Sequence, residues 1–226
     1  MLTPSTEIQE RIEVLRKNAT DTLRLLQILD SSETQDVTRL ALRYCIERTV
    51  DMTAGCLRVV ELNLPVSSTT LARGLLESLF TIYWLVQSEE NAANFTQASK
   101  NELKRLARAA INTGYAKVSD KTTGEDISQQ FLKSEDMRDI PKRPEIAEMA
   151  RISGLEKVYR TVYGYASMIV HGNFFGMATT EEMDDQILAA LDVAISIVKA
   201  INTITITWQE QHKVLEASVV LQILNV

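Results

Sequence analysis

Twelve of the 226 residues are glycine or proline, eight and four respectively, roughly half of ordinary usage. A chain with so few breakers has room for long uninterrupted helices. It also lacks the turn every ~8–12 residues that a β-sandwich needs. The length suits one domain or two small ones. With 45% hydrophobic and 24% charged residues, enough apolar surface exists to offset the entropy of ordering, so most of the chain is expected to fold.

Apolar residues recur at helical spacing along most of the sequence. A first segment places Ile8, Ile12, Leu15, Leu23, Leu26 and Leu29 on one face, with Ser5 or Thr6 as its cap. A second runs over 33–62 with Val37, Leu40, Tyr44, Val50, Leu57 and Val60 on its apolar face. After the break at Leu64-Pro65, Ser67 or Ser68 is the expected cap of a third helix to about residue 87. A fourth spans about 90–113. A short helix follows Pro144, a longer one covers 155–171, and a long one covers 181–212. The alternation Thr203–Thr207 reads as helix because it continues the stripe of Leu188, Leu191, Ile195 and Val198. The expectation is all-α: a single-domain bundle of six or seven helices over residues 1–226. An irregular excursion is expected at about 114–144, a lid, a binding loop or a partly helical insertion.

Acidic residues outnumber basic ones, 30 to 24, for a net charge of −6. That sign disfavours a generic binder of phosphate backbones but leaves room for a local basic patch. Cys45 and Cys56 stand eleven residues apart on one helix, about 16 Å of rise, too far to bond to each other. They read as small buried hydrophobes suited to a reducing cytoplasm. The beginning of the chain lacks the apolar core of a signal peptide. The stretch Ile187–Trp208 carries Asp192, Lys199 and Asn202, so a core helix is expected rather than a membrane span. No P-loop, G-x-G-x-x-G, H-E-x-x-H or C-x-x-C occurs, and with two histidines and two scattered cysteines no metal or other cofactor is expected.

Three features stand out from the helical background. Arg73 and Glu77, in the run Arg73-Gly74-Leu75-Leu76-Glu77, are one turn apart and can pair. They read either as a surface pair or as a charged pair beside the packed seam, since their neighbours are apolar. Tyr163, Ser167 and His171 are spaced by four and line one stripe of their helix. A hydroxyl and an imidazole one turn apart can share a proton or hold a phosphate. His171 followed by Gly172 is equally an ordinary helix C-terminus. Lys100, Lys104 and Arg108 form a basic stripe, with Arg105 alongside and Lys117 beyond. It reads as a solvated face or as a track for a phosphate backbone.

An arginine helix with R-x-L-L-E and W-L (Arg73–Glu77, Trp84-Leu85), then a helix ending in Y-x-x-x-S-x-x-x-H-G (Tyr163, Ser167, His171, Gly172), resembles an uncharacterised bacterial family of all-helical proteins. That family is similar in layout to HEPN domains, helical bundles of which many are metal-independent ribonucleases of toxin–antitoxin and phage-defence systems acting as dimers. Their signature is an arginine shortly before a histidine on one helix. Gly164, Tyr165 and Ala166 stand where that arginine would precede His171, and Arg160 is too early. The resemblance implies a nucleotide- or RNA-related site in which His171 is general acid or base and Arg73 neutralises a phosphate. Glu77 would orient one of them, and Ser167 and Tyr163 would position the substrate. Lys104 and Arg108 are the further candidates for holding it. The other reading is a non-enzymatic helical interaction module whose Arg, Glu, Ser and His residues form a structural polar network. Either way a homodimer is the expected assembly, because long apolar helices often complete their burial against a copy of themselves. RNA or a nucleotide is the candidate ligand, with no membrane partner.

Overall fold

The structure is a computed structural model that describes residues 5–31, 36–134, 144–171, 180–211 and 214–225. Nine helices lie among them. They are α1 (Thr6–Asp30), α2 (Val37–Glu61), α3 (Pro65–Leu85), α4 (Glu89–Asn112), α5 (Ser128–Leu132), α6 (Ile146–Ile152), α7, α8 (Thr180–Gln211) and α9 (Ala217–Ile223). Helix α7 starts as Glu156–Val158, passes through a π-helical turn at Tyr159–Tyr163 and continues as Gly164–Val170. The all-α expectation holds, but six or seven helices is too few. The two missed are α5 and α9, whose five and seven residues span too few turns for a hydrophobic period to show.

The described residues fall into two compact units, one of residues 1–89 with 144–226, the other of 90–143. In the first, α1, α2, α3 and α8 form a bundle in which each packs on the next and α8 closes the ring against α1. Helices α2 and α3 run in opposite directions: a Cβ on Gly55 would meet Leu71, and one on Gly74 would meet Met52. Helices α1 and α8 run the same way, with Arg11 bonded to Asp192 and Thr22 to Asn202. Every residue of α3 from Ser78 to Leu85 is buried, since α2, α8, α6 and α7 all pack on it. A helix covered on all sides is apolar all round.

Local signals explain the helix starts. Ser5 accepts from the Ile8 N–H at 3.4 Å, as its position suggests. Asp36 accepts from the Arg39 N–H at 2.8 Å and caps α2. Helix α3 starts earlier than Ser67, at Pro65, whose fixed φ and missing N–H suit the first helical position. Ser68 is inside the helix, its hydroxyl donating to the Leu64 carbonyl at 2.8 Å.

The apolar face of α2 differs from the expected one. Leu40 and Tyr44 are exposed, while Ala41, Cys45, Thr49, Thr53 and Cys56 line the core. Thr49 and Thr53 donate to the carbonyls of Cys45 and Thr49, at 2.8 and 2.7 Å. A hydroxyl satisfied by its own helix can enter an apolar interior. In α1, Leu23 is exposed and Leu25 takes the core position.

Helix α8 is a core helix, buried at Ile187, Leu191, Ala194, Val198, Ile201 and Ile204. Among the described residues, Glu182–Glu210 is the only stretch long and apolar enough to cross a membrane, and its apolar residues pack on α1 and α3. One polar cluster interrupts this seam. The Asn202 amide donates to the Asn18 carbonyl at 3.1 Å and accepts from the Thr22 hydroxyl at 2.9 Å.

The second unit holds α4 and α5. Part of the irregular excursion is a pinned turn: Ser119 and Asp126 form an isolated antiparallel bridge. The Asp120 carboxylate accepts from the N–H groups of Thr122 and Thr123, both at 2.8 Å. Gly124 supplies the positive φ of 72° that closes the turn. Residues 135–143 lie outside the described residues.

Candidate functional site

Arg73 and Glu77 sit on α3 just before its fully buried stretch, and α7 crosses α3 at this level. Tyr163, the last residue of the π-helical turn, enters between them. Its hydroxyl accepts from Arg73 Nη2 at 2.8 Å and donates to Glu77 Oε1 at 3.0 Å. Arg73 Nη2 is also 3.5 Å from the same carboxylate oxygen. From α2, Arg48 Nη2 reaches the other oxygen, Oε2, at 3.5 Å. Three helices thus meet on one carboxylate. The pair is neither a surface pair nor a deeply buried one, because the side chains of Arg73 and Glu77 keep 22% and 24% of their exposure.

Aromatic packing surrounds the Tyr163 ring. Tyr159 stacks on it at 4.9 Å between centroids, and Phe80 meets both tyrosines edge-on at 6.1 and 6.3 Å. The Arg73 guanidinium carbon is 4.9 Å from the Tyr163 centroid, within reach of a cation–π attraction. Burial pushes the Tyr163 hydroxyl above the ordinary tyrosine range; the Arg73 hydrogen bond opposes this and Glu77 adds to it. Arg73 Nε is buried with no hydrogen-bond partner among the described residues.

Gly74 makes room for this arrangement. A Cβ there would sit 2.8 Å from Met52 Cε and 2.9 Å from Met52 Sδ, so α2 approaches α3 closely one turn from Glu77. Gly164 has no such role: a Cβ on it would meet only the Tyr159 carbonyl, at 3.8 Å. Gly172 and Gly176 lie outside the described residues.

Tyr163, Ser167 and His171 do line one stripe. With Tyr159, Arg160, Gly164 and Met168 they border a surface groove of about 370 Å³, the lower end of ligand-pocket sizes. His171 ends α7, its N–H donating to the Ser167 carbonyl at 3.0 Å, and its side chain is exposed. Among the described residues no hydrogen bond links Ser167 or His171 to Arg73 or Glu77. Eight residues of helical rise, about 12 Å, separate His171 from Tyr163. The structure therefore brings Arg73, Glu77 and Tyr163 together, and sets Ser167 and His171 farther along the same groove.

Lys104 and Arg108 lie on α4 of the second unit, both half-buried. The side chain of Lys100 and all of His212 are outside the described residues. Arg48 was missed by sequence reasoning. Its only signal is the register of α2 against α3, which a spacing rule within one helix does not carry. Among the described residues no group of three His, Cys, Asp or Glu side chains could hold a metal ion.

Residues 39–187 match a family of unknown function (DUF5677). The chain belongs to this family. The DUF5677 match takes in α2, α3 and α7, and with them Arg48, Arg73, Glu77, Tyr163, Ser167 and His171. It leaves out α1 and most of α8, so the bundle is closed by segments beyond the DUF5677 match. No curated protein and no solved structure matches the chain.

Proposed function

We propose that this chain is a helical interaction module. Its Arg48, Arg73, Glu77 and Tyr163 form an architectural polar network, and its recognition surface is the groove of Tyr163, Ser167 and His171. The observation that carries this reading is the convergence of three side chains on the Glu77 carboxylate. One carboxylate oxygen takes Tyr163 and Arg73, and the other takes Arg48. An arginine already balanced by a carboxylate and a hydroxyl is a weak receptor for a substrate phosphate, whereas a network spanning three helices fixes their register. A homodimer formed through exposed apolar side chains belongs to this reading.

A second reading is a HEPN-like, metal-independent ribonuclease of toxin or phage-defence type. What favours it is that Ser167 and His171 face one open groove, and neither side chain hydrogen-bonds to a described residue. His171 would then act as general acid or base on RNA, and Ser167 and Tyr163 would position the substrate.

RNA cleavage by wild type, His171→Ala and Ser167→Ala separates the two. The module reading expects no cleavage above background in any of them, with all three folded. Cleavage by wild type that falls at least 100-fold in His171→Ala overturns it and establishes the nuclease, since general acid–base catalysis contributes ~10²–10⁴-fold.

A further inference from the structure

The two motif segments do not touch through Ser167 or His171, yet they are mechanically joined. The π-helical turn Tyr159–Tyr163 is the only one among the described residues. A π turn holds one more residue than an α turn. If it relaxed to α-helix, everything after it would rotate by about 100° and shift by about 1.5 Å along the axis. Ser167 and His171 are in that downstream part, and Gly164, at its first position, carries no side chain to resist the turn. The α pattern is the ordinary one, so the wide turn persists because contacts at its ends hold it.

Such contacts flank the turn on both sides. Before the turn, Val158 is buried; after it, Ala166 and Ile169 are buried. Across it, Tyr159 and Tyr163 stack on each other and meet Phe80 of α3. At its last residue the Tyr163 hydroxyl is held by Arg73 and Glu77.

The geometry points to a register device in which the Arg73–Tyr163–Glu77 clasp holds the π turn and thereby sets the direction in which Ser167 and His171 face. The clasp is a positioning element for the groove, whatever the groove binds. Anything that takes Tyr163 from Glu77 and Arg73 releases the turn and re-aims the imidazole.

Tyr163→Phe tests this, because it keeps the ring stacked on Tyr159 and removes only the hydroxyl. Amide hydrogen exchange is read by segment, together with the His171 ring resonances. These are easily assigned in a chain with two histidines. The expected result is exchange at least tenfold faster across 159–171, a clearly smaller acceleration across α1 and α8 that reflects the global stability loss alone, and shifted His171 resonances. Glu77→Gln, which keeps an acceptor for the Tyr163 hydroxyl, gives the same pattern to a smaller degree. Unchanged exchange at 159–171 in both variants overturns the inference. So does acceleration spread evenly over all helices, which would make the hydroxyl a matter of global stability alone.

Discussion

The Tyr163 hydroxyl donates to Glu77 at 3.0 Å across 86 residues of sequence. This bond ties the R-x-L-L-E helix to the helix that ends in His171. Because the same hydroxyl accepts from Arg73, its removal leaves two half-buried ionic groups short of a partner.

Tyr163→Phe is therefore expected to lower stability by about 1 kcal/mol, the low end for an unmade bond because both partners keep some solvent. Urea denaturation checks it. A midpoint equal to wild type would mean that water replaces the hydroxyl at no cost.

The network also makes a pH prediction. Burial raises Tyr163, and outside the network Tyr83 on α3, whose hydroxyl donates to the Leu215 carbonyl, above the ordinary tyrosine value, near 10. Their contribution is fully present below pH ~10. It is lost as pH rises toward the folded-state values, because the unfolded tyrosines ionise first. Wild type should lose stability on going above pH 10, and Tyr163→Phe should lose less over the same interval. Parallel losses in the two proteins would remove Tyr163 from the effect.

Gly74→Ala is expected to be close to neutral and Gly74→Val clearly destabilising. Alanine is favoured in a helix by about 1 kcal/mol, which offsets pushing aside the flexible end of Met52. A valine must move α2 itself, at about 1–3 kcal/mol. Thermal unfolding of Gly74→Val with and without Met52→Ala is the check. If the second change fails to relieve the first, the close approach is not what Gly74 provides.

His171→Ala is expected to stay within about 0.5 kcal/mol of wild type in thermal unfolding, as for most exposed positions. A loss of several kcal/mol would place the imidazole in the fold rather than in the groove.

Both cysteines are buried, and burial pushes the Cys56 thiol up to about 12. Thiol reagents act on the thiolate, so labelling of the native protein near pH 8 should proceed only as fast as the chain unfolds. Rapid labelling of the folded protein would contradict the burial.

Much of this architecture is legible in the sequence because long helices advertise themselves. Residues 155–171 read as a helix and Glu156–Val170 form one, but nothing in the spacing announces the wide turn inside it. Leu40 and Tyr44 misled the reading of α2, since threonine counts as polar until its hydroxyl is seen bonded to the preceding turn. The stripe of Tyr163, Ser167 and His171 was visible for the same reason: four-residue spacing is a property of one helix. The partnership of Tyr163 with Arg73, Glu77 and Arg48 was not, because it depends on how three helices are set against each other.

The parallel pairing of α1 with α8 has a consequence for how the molecule is made. The bonds from Thr22 and Asn18 to Asn202 join residues 180 and 184 positions apart, whereas α2 and α3 are adjacent in the chain and can pair early. During synthesis the faces of α1 and α3 that pack on α8 must wait for it. At ~5–20 residues per second that delay is on the order of ten seconds. Ring closure by so distant a segment is a slow, late event. Until then, the nascent chain exposes the same apolar faces that the finished bundle hides.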